Sequence, residues 1–390
     1  MSHIDVRRLP TVIFSVGVWL PGGGMGNHAY YQVKGLERHG LLHRAYIMRR
    51  MAPDLDPALV RDCYLLERLA YRIVRYSHLN QYVIRDNLFD FWISRHFAKA
   101  TVFYGWNHHA LWSLKRAKRL GMLTVLERAN SHPLTYTRLL EQEYAALGIP
   151  YAPYHPAILK KHLQELAETD YVAVTSRFTK ESLLEHGMRD EQILLTPLGV
   201  DADRFVPGPE PAEKFRVICV GQLCVRKGTH YLLEAWGKLG LSDAELVLVG
   251  AVTEELREPV EQSMKSHATI THIPHSPEPV SVYQQAAVFI LPTLEDGFGL
   301  VVLEAMACGL PVIITEHAGA KDCVRPDVDG FLIPPYSAEA IADTLLHCYR
   351  NREKLHRMGI SARRQAEQYS WKRYQDTLAD HLRRISAHHL

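Results

Sequence analysis

No stretch of the 390 residues approaches the ~18 to 20 consecutive apolar residues needed to cross a bilayer, so no membrane-spanning helix is expected. The opening Met1-Ser2-His3-Ile4-Asp5 lacks the basic start and apolar core of a signal peptide, which predicts a cytoplasmic protein. Six cysteines (Cys63, Cys219, Cys224, Cys308, Cys323 and Cys348) form no C-x-x-C pair, and the last five lie in or beside apolar runs. They are expected to be reduced packing residues rather than disulfides or metal ligands. The 22 histidines contain no H-E-x-x-H, and no Cys/His ligand spacing appears, which argues against zinc. Low-complexity tracts and short-period repeats are missing as well. A net charge of +2 is too small to imply a nucleic-acid partner.

What is present is an ordinary globular composition, 47% hydrophobic and 23% charged, over a length suited to two or three domains. Charge is uneven along it. Residues 1–200 hold 25 Lys and Arg against 18 Asp and Glu, and residues 1–120 alone hold 18 against 8. Two readings fit that basic start: solvated helix faces, or a surface that meets an anionic partner or a membrane.

Short β-branched runs alternate with helical stretches. Thr11 to Val18 ends in the cluster Gly22-Gly23-Gly24-Met25-Gly26, after which Asn27 to Arg38 reads as a helix: strand, phosphate-sized loop, helix. Ala45 to Met48, Thr101 to Tyr104, Leu123 to Leu126, Tyr171 to Thr175 and Gln192 to Thr196 continue the series. A linker-like stretch from Gly199 to Phe205, followed by Pro207-Gly208-Pro209, precedes a second series: Val217 to Val220, Glu245 to Val249, Thr269 to Ile273, Val288 to Leu291, Val312 to Ile314 and Phe331 to Ile333. The alternation predicts an α/β protein of two doubly wound, Rossmann-like domains around a cleft at the C-terminal ends of their strands. The expected division is 1–203, 204–368 and a final helical segment, 369–390, packing back on the first domain.

The most informative segment runs from Leu291 to Val312. A buried strand enters the loop Glu295-Asp296-Gly297-Phe298-Gly299, and a helix starts at about Leu300, so free N–H groups point to the cleft mouth where a phosphate or polyol can sit. Asp296 and, eight residues on, Glu304 can address two parts of one extended ligand. Carboxylates accept from vicinal hydroxyls, which makes sugar and ribose natural targets. A second constellation, Gly221-Gln222-Leu223-Cys224-Val225-Arg226-Lys227-Gly228, places a basic pair between a strand end and a helix start, where it can neutralise a diphosphate. Read as a dinucleotide fingerprint, the N-terminal glycine cluster fails: Gly22, Gly24 and Asn27 do not satisfy G-x-G-x-x-G, and Arg49-Arg50 stands where an acid would close the next strand.

The Asp296-to-Glu304 segment resembles the donor-site signature of the retaining GT-B glycosyltransferases of family four, and the resemblance extends over essentially the whole chain. The family pattern has Glu before Gly-Phe-Gly, where this chain has Asp296, one methylene shorter. It has Arg after the glycine, where this chain has Gln222; Lys227 matches, and Arg226 stands ready to carry the missing charge. The resemblance implies that a sugar passes from a nucleotide-sugar donor, a UDP- or GDP-sugar, to a cell-surface polysaccharide, lipid-linked or small-molecule acceptor, with retention. It implies no covalent nucleophile and no metal cofactor. Arg226, Lys227 and the amides of Leu300 and Val301 would stabilise the leaving diphosphate. Asp296 with Gly297, Phe298 and Gly299 would hold the transferred sugar, and Glu304 the ribose. Gln222 and the amides of Gly22, Gly23 and Gly24 would approach the donor, and backbone around Ile273 the base.

His132, in the loop after the strand at Leu123 to Leu126, corresponds to a histidine that in similar enzymes bonds the donor sugar beside the reacting carbon; a loop-capping histidine is the alternative. Asn107, His108 and His109 are secondary cleft candidates. Between Tyr71 and Phe97, aromatics (Tyr76, Tyr82, Phe89, Phe91, Trp92) mix with arginines, giving either core packing or a helix pair that binds the acceptor or rests on the inner membrane surface. Two rival functions remain open: a GT-B epimerase or phosphorylase, and a non-catalytic nucleotide-sugar-binding scaffold.

Overall fold

The computed structural model describes residues 9–76, 80–151, 154–209, 214–276, 278–387 and 389. The opening residues and the side chain of Tyr76, both used above, lie outside the described set.

The first sheet has seven strands: β1 (Val12–Leu20), β2 (Leu42–Arg50), β3 (Val60–Asp62), β4 (Val102–Trp106), β5 (Leu123–Arg128), β6 (Tyr171–Val174) and β7 (Ile193–Leu195). Their order is β3-β2-β1-β4-β5-β6-β7, all parallel. The second sheet has β8 (Phe215–Val220), β9 (Ala244–Val249), β10 (Ile270–Ile273), β11 (Val288–Leu291), β12 (Val312–Thr315) and β13 (Gly330–Ile333) in the order β10-β9-β8-β11-β12-β13, again parallel. Near-continuous apolar strands such as Val288-Phe289-Ile290-Leu291, wholly buried, are what a sheet covered by helices on both faces requires.

Helices α1 (Gly23–Arg38), α2 (Tyr64–Tyr76), α3 (Gln81–His96), α4 (Leu111–Arg119), α5 (Pro133–Ala146), α6 (Pro156–Glu168) and α7 (Arg177–Glu185) accompany the first sheet. Helices α8 (Thr229–Leu239), α9 (Glu254–Ser266), α10 (Pro279–Gln284), α11 (Leu300–Ala307), α12 (Ala338–Arg350) and α13 (Arg352–Ala366) accompany the second. The last helix, α14 (Trp371–Ser386), is capped by the Ser370 hydroxyl and returns to α1. Trp371 stacks on Tyr31 at 4.0 Å, and the Tyr374 hydroxyl meets His28 Nε2 at 2.7 Å. In each sheet the strand order reverses once, between β1 and β4 and between β8 and β11. Ligands of open α/β sheets bind in the crevice outside such points; the candidate loops follow these four strands and β5, with Ile273 at the end of β10.

Three details differ from the sequence expectation. Strand β3 was not anticipated; it is three residues long with only Val60 buried, too short to show a period. The glycine cluster is not a loop ahead of the helix. Gly22 is the N-cap, and Gly23 to Gly26 form the first turn of α1, with Gly26 N–H donating to Gly22 O at 3.1 Å. The aromatics between 71 and 97 divide: Phe89 is core and Trp92 packs against it, whereas Tyr82 and Phe91 are exposed. All six cysteines are buried free thiols. Among the described residues, no helix is long and apolar enough to cross a membrane.

Candidate active site

The loops that follow β8 and β11 lie against each other. After β8, a single 3₁₀ turn over Val225–Lys227 ends at Gly228, and the Arg226 carbonyl accepts from Leu294 N–H at 2.8 Å and from the Thr293 hydroxyl at 3.0 Å. Gly299, at φ 86°, adopts the left-handed conformation that glycine tolerates best and so turns the chain into α11. The N–H groups of Leu300 and Val301 occupy the first turn of that helix, where no intrahelical acceptor exists and the dipole favours an anion.

Two carboxylates and two cations occupy the junction. Lys227 Nζ is paired with Asp296 Oδ2, while Arg226 NH1 donates to the Glu295 carbonyl at 2.8 Å and stands 3.5 Å from the Glu295 carboxylate. Burial alone would raise the Asp296 carboxyl; Lys227 and then Arg226 outweigh it and hold the group below its ordinary value, so it is an anion at neutral pH. Burial works against the Arg226 charge too, and Tyr136, Glu295 and Asp296 overcome it. An ammonium has three N–H donors, so Lys227 can keep Asp296 and still donate to a phosphate.

The first domain meets this loop directly. Glu295 accepts from Ser131 and Asn130, and the Gly297 carbonyl accepts from the Ser176 hydroxyl at 2.6 Å. His132 follows Ser131 in that contact loop. Its Nδ1 caps α5 by accepting from Leu134 N–H at 3.3 Å, and its ring stacks on His186 at 3.9 Å. Burial lowers its pKa to about 3, so it is neutral. The capping alternative is therefore realised, with Nε2 left as the ring atom open to a ligand.

Glu304 lies on the second turn of α11 and accepts from the Tyr283 hydroxyl at 3.0 Å; burial raises its pKa, with Tyr283 and Arg204 acting the other way. It lines a cavity of about 240 Å³ with Leu300, Arg204, Tyr30 and Tyr31. Glu304→Gln is expected to weaken binding of free UDP or GDP by roughly tenfold or more, the worth of one charged hydrogen bond; isothermal calorimetry showing unchanged affinity would remove the ribose role. Gln222 is exposed at the end of β8, and His272, next to Ile273, bonds the Gly250 carbonyl at 2.8 Å. Asn107, His108 and His109 follow β4: His108 N–H donates to Glu165 at 2.9 Å, its ring lies 4.0 Å from that of His162, which stands 3.5 Å from Arg128 NH1, and His109 Nε2 lies 3.4 Å from Asp86.

Residues 201–365 match the family model described as Glycosyl transferases group 1. That match falls on the second domain, which is similar to the group 1 glycosyltransferases. Over 274 residues the chain is 30% identical to a D-inositol 3-phosphate glycosyltransferase of Geodermatophilus obscurus, covering 64% of this chain and 60% of the relative's length. Over 367 residues it is 26% identical to the GDP-mannose-dependent alpha-(1-6)-phosphatidylinositol monomannoside mannosyltransferase of Mycobacterium tuberculosis, covering 87% and 90%. Among solved structures, sucrose-phosphate synthase of Thermosynechococcus elongatus superposes with a TM-score of 0.71 at 19% identity, covering 98% of this chain and all of that one. That likeness identifies the fold as GT-B.

Glu295 is the unexpected member of the site. The family pattern assigns the acidic position before Gly-Phe-Gly to Asp296, and the structure turns the Glu295 side chain to Ser131 and Asn130 of the first domain. Its partners Asn130 and Ser131 directly precede His132 in the loop after β5. Tyr283, the partner of Glu304, carried no local signal, because its hydroxyl finds that carboxylate 21 positions away in sequence.

Proposed function

We propose that the protein is a retaining hexosyltransferase of the cytoplasm, moving a sugar from a UDP- or GDP-sugar to an acceptor held by the first domain. The observation that carries this reading is the charge cluster of Lys227, Asp296 and Arg226 at the start of α11. A diphosphate at the Leu300 and Val301 amides would meet the Lys227 ammonium and the Arg226 guanidinium, and Asp296 would accept from hydroxyls of the attached sugar. As the bond from the anomeric carbon to the phosphate breaks, the acceptor oxygen bonds that carbon from the same face and its proton passes to the departing phosphate oxygen. The residues then supply charge stabilisation and alignment, not a covalent intermediate. The GDP-mannose dependence named for the mycobacterial relative supports a GDP-sugar, and the inositol phosphate named for the other supports a phosphate-bearing acceptor.

On the acceptor side, α2 turns Leu65, Leu69 and Tyr71 outward beside Arg68 and Arg72, and a groove of about 900 Å³ lined by these residues reaches Trp19 at the end of β1. Apolar and basic side chains together suit an anionic, lipid-linked acceptor and peripheral contact with the membrane surface, consistent with polysaccharide or glycolipid assembly.

The test is nucleoside diphosphate release from a panel of UDP- and GDP-sugars, with and without phosphate-bearing acceptors. Acceptor-dependent release supports transfer. Donor turnover without an acceptor favours the epimerase, turnover that requires free phosphate favours the phosphorylase, and binding without turnover favours the scaffold. Since Arg226 and Lys227 are assigned the diphosphate charge, EDTA is expected to leave the rate unchanged; loss on chelation and recovery with Mg²⁺ would contradict metal independence.

A further inference from the structure

The Glu295 carboxylate belongs to the donor-site loop by sequence and to the first domain by contact. It is fully buried. Oε1 accepts from the Ser131 N–H at 2.9 Å and the Ser131 hydroxyl at 3.0 Å; Oε2 accepts from the Asn130 amide at 3.1 Å and faces Arg226 NH1 at 3.5 Å. Behind Ser131, buried Arg128 donates Nε and NH2 to the Ser131 carbonyl at 3.1 and 2.7 Å, so the loop that grips Glu295 is held from the end of β5. Arg226 NH1 also donates to the Glu295 carbonyl at 2.8 Å, which sets one guanidinium nitrogen between the backbone and the side chain of the same residue.

Every one of these partners is a donor, and an ionised carboxylate is acceptor-only. With the first domain withdrawn, Glu295 keeps Arg226 but loses Ser131 and Asn130, three of its four contacts. With the domain docked, the carboxylate is satisfied from both sides, and a satisfied buried network fixes its members in one geometry. We infer that Glu295 is a positioning residue that fixes Arg226 for the donor diphosphate when the Asn130–His132 loop is docked, coupling domain closure to assembly of the donor-site cations. NH1 serves Glu295, and Nε and NH2 remain to meet a phosphate. No bond or proton changes place at Glu295. This inference rests on the donor-site reading above.

Glu295→Gln tests it, since glutamine keeps the length but turns an NH2 group toward donors. In the full chain with an active donor, kcat is expected to fall about 100-fold, the cost of a misplaced group, while affinity for free UDP or GDP stays within about threefold. Ser131→Ala is expected to cost about tenfold, and the double variant to be no slower than Glu295→Gln alone, because both remove one contact. Multiplicative losses, wild-type kcat in Glu295→Gln, or equal losses of kcat and nucleotide affinity overturn the inference. A second measurement needs no turnover: pulsed electron paramagnetic resonance between spin labels on Glu191→Cys and Glu261→Cys, both exposed and one in each domain. The ligand-free protein should give a distance distribution that Glu295→Gln broadens and shifts; identical distributions overturn the coupling. A wild-type protein that binds and releases no nucleotide defeats the functional reading, and the label distances still decide the role of Glu295 in closure.

Discussion

Lys227→Ala is expected to lower turnover by about 10³-fold, the range seen when one preorganised charge-stabilising group is removed from a reacting centre, equivalent to about 4 kcal/mol. Lys227 is the one cation of the cluster whose side chain reaches Asp296, and both side chains are mostly withdrawn from water. Removing it takes a positive charge from the leaving phosphate and leaves Asp296 with Arg226 alone. Truncating one member of a buried pair also costs stability, typically about 3 to 5 kcal/mol, so turnover must be read on protein shown to be folded. Lys227→Ala/Asp296→Asn separates the two effects: without the stranded carboxylate, stability should recover while turnover stays low. Steady-state kinetics beside thermal unfolding make the comparison. Wild-type kcat in folded Lys227→Ala would end the diphosphate role.

Gly297→Ala should cut turnover by about 100-fold, the penalty of displacing reacting groups by about 1 Å, and leave binding of free nucleotide largely intact. A Cβ at 297 would overlap the Ala129 carbonyl oxygen and crowd Asn130, so the β11 loop and the β5 loop would have to separate. The obstacle is backbone and cannot rotate away. Leu300, Val301 and Glu304, which would hold the nucleotide, sit within the second domain and are not displaced by that separation. Calorimetry against kinetics reads the split. Unchanged turnover would mean that the close approach of the two domains is not the reacting geometry.

The sheets were legible because their strands are short apolar runs spaced by helices, and the cleft followed from parallel topology. The same patterning placed the loop before α11 and its two carboxylates, since Gly-Phe-Gly and the spacing to Glu304 are local. What was not legible depends on distance along the chain. Glu295 and Asp296 are adjacent acids in one loop, and only folding turns one toward Ser131, 164 residues away, and the other toward Lys227. The dual character of His132 has the same origin: a histidine ahead of Pro133 fits both a helix cap and a ligand, and the packing of His186 shows that the cap is made. The glycine cluster misled for a different reason. Glycine is a poor helix former, and here it is admitted to the first turn because Gly26 lies against the Trp19 carbonyl, where a side chain would not fit.

The departures from the family pattern also have a structural context. Gln222 supplies no charge, and Arg226, four residues on, contacts Glu295 and adds its positive field at Asp296. The cluster of Arg226, Lys227, Glu295 and Asp296 is thus formally neutral before a ligand arrives. A diphosphate shares these cations with two carboxylates, which makes the free N–H groups of α11 a larger part of its binding.

In the proposed reaction a nucleoside diphosphate is held at the junction of Lys227, Arg226 and the start of α11. Isothermal calorimetry and thermal shift with UDP, GDP and ADP test it most directly, because a ligand bound only to the native state at 100 times its Kd adds about 2.7 kcal/mol of stability. UDP or GDP is expected to bind and stabilise the wild-type protein, and Lys227→Ala to lose most of the effect. Binding by none of the three, or binding indifferent to Lys227, would contradict it.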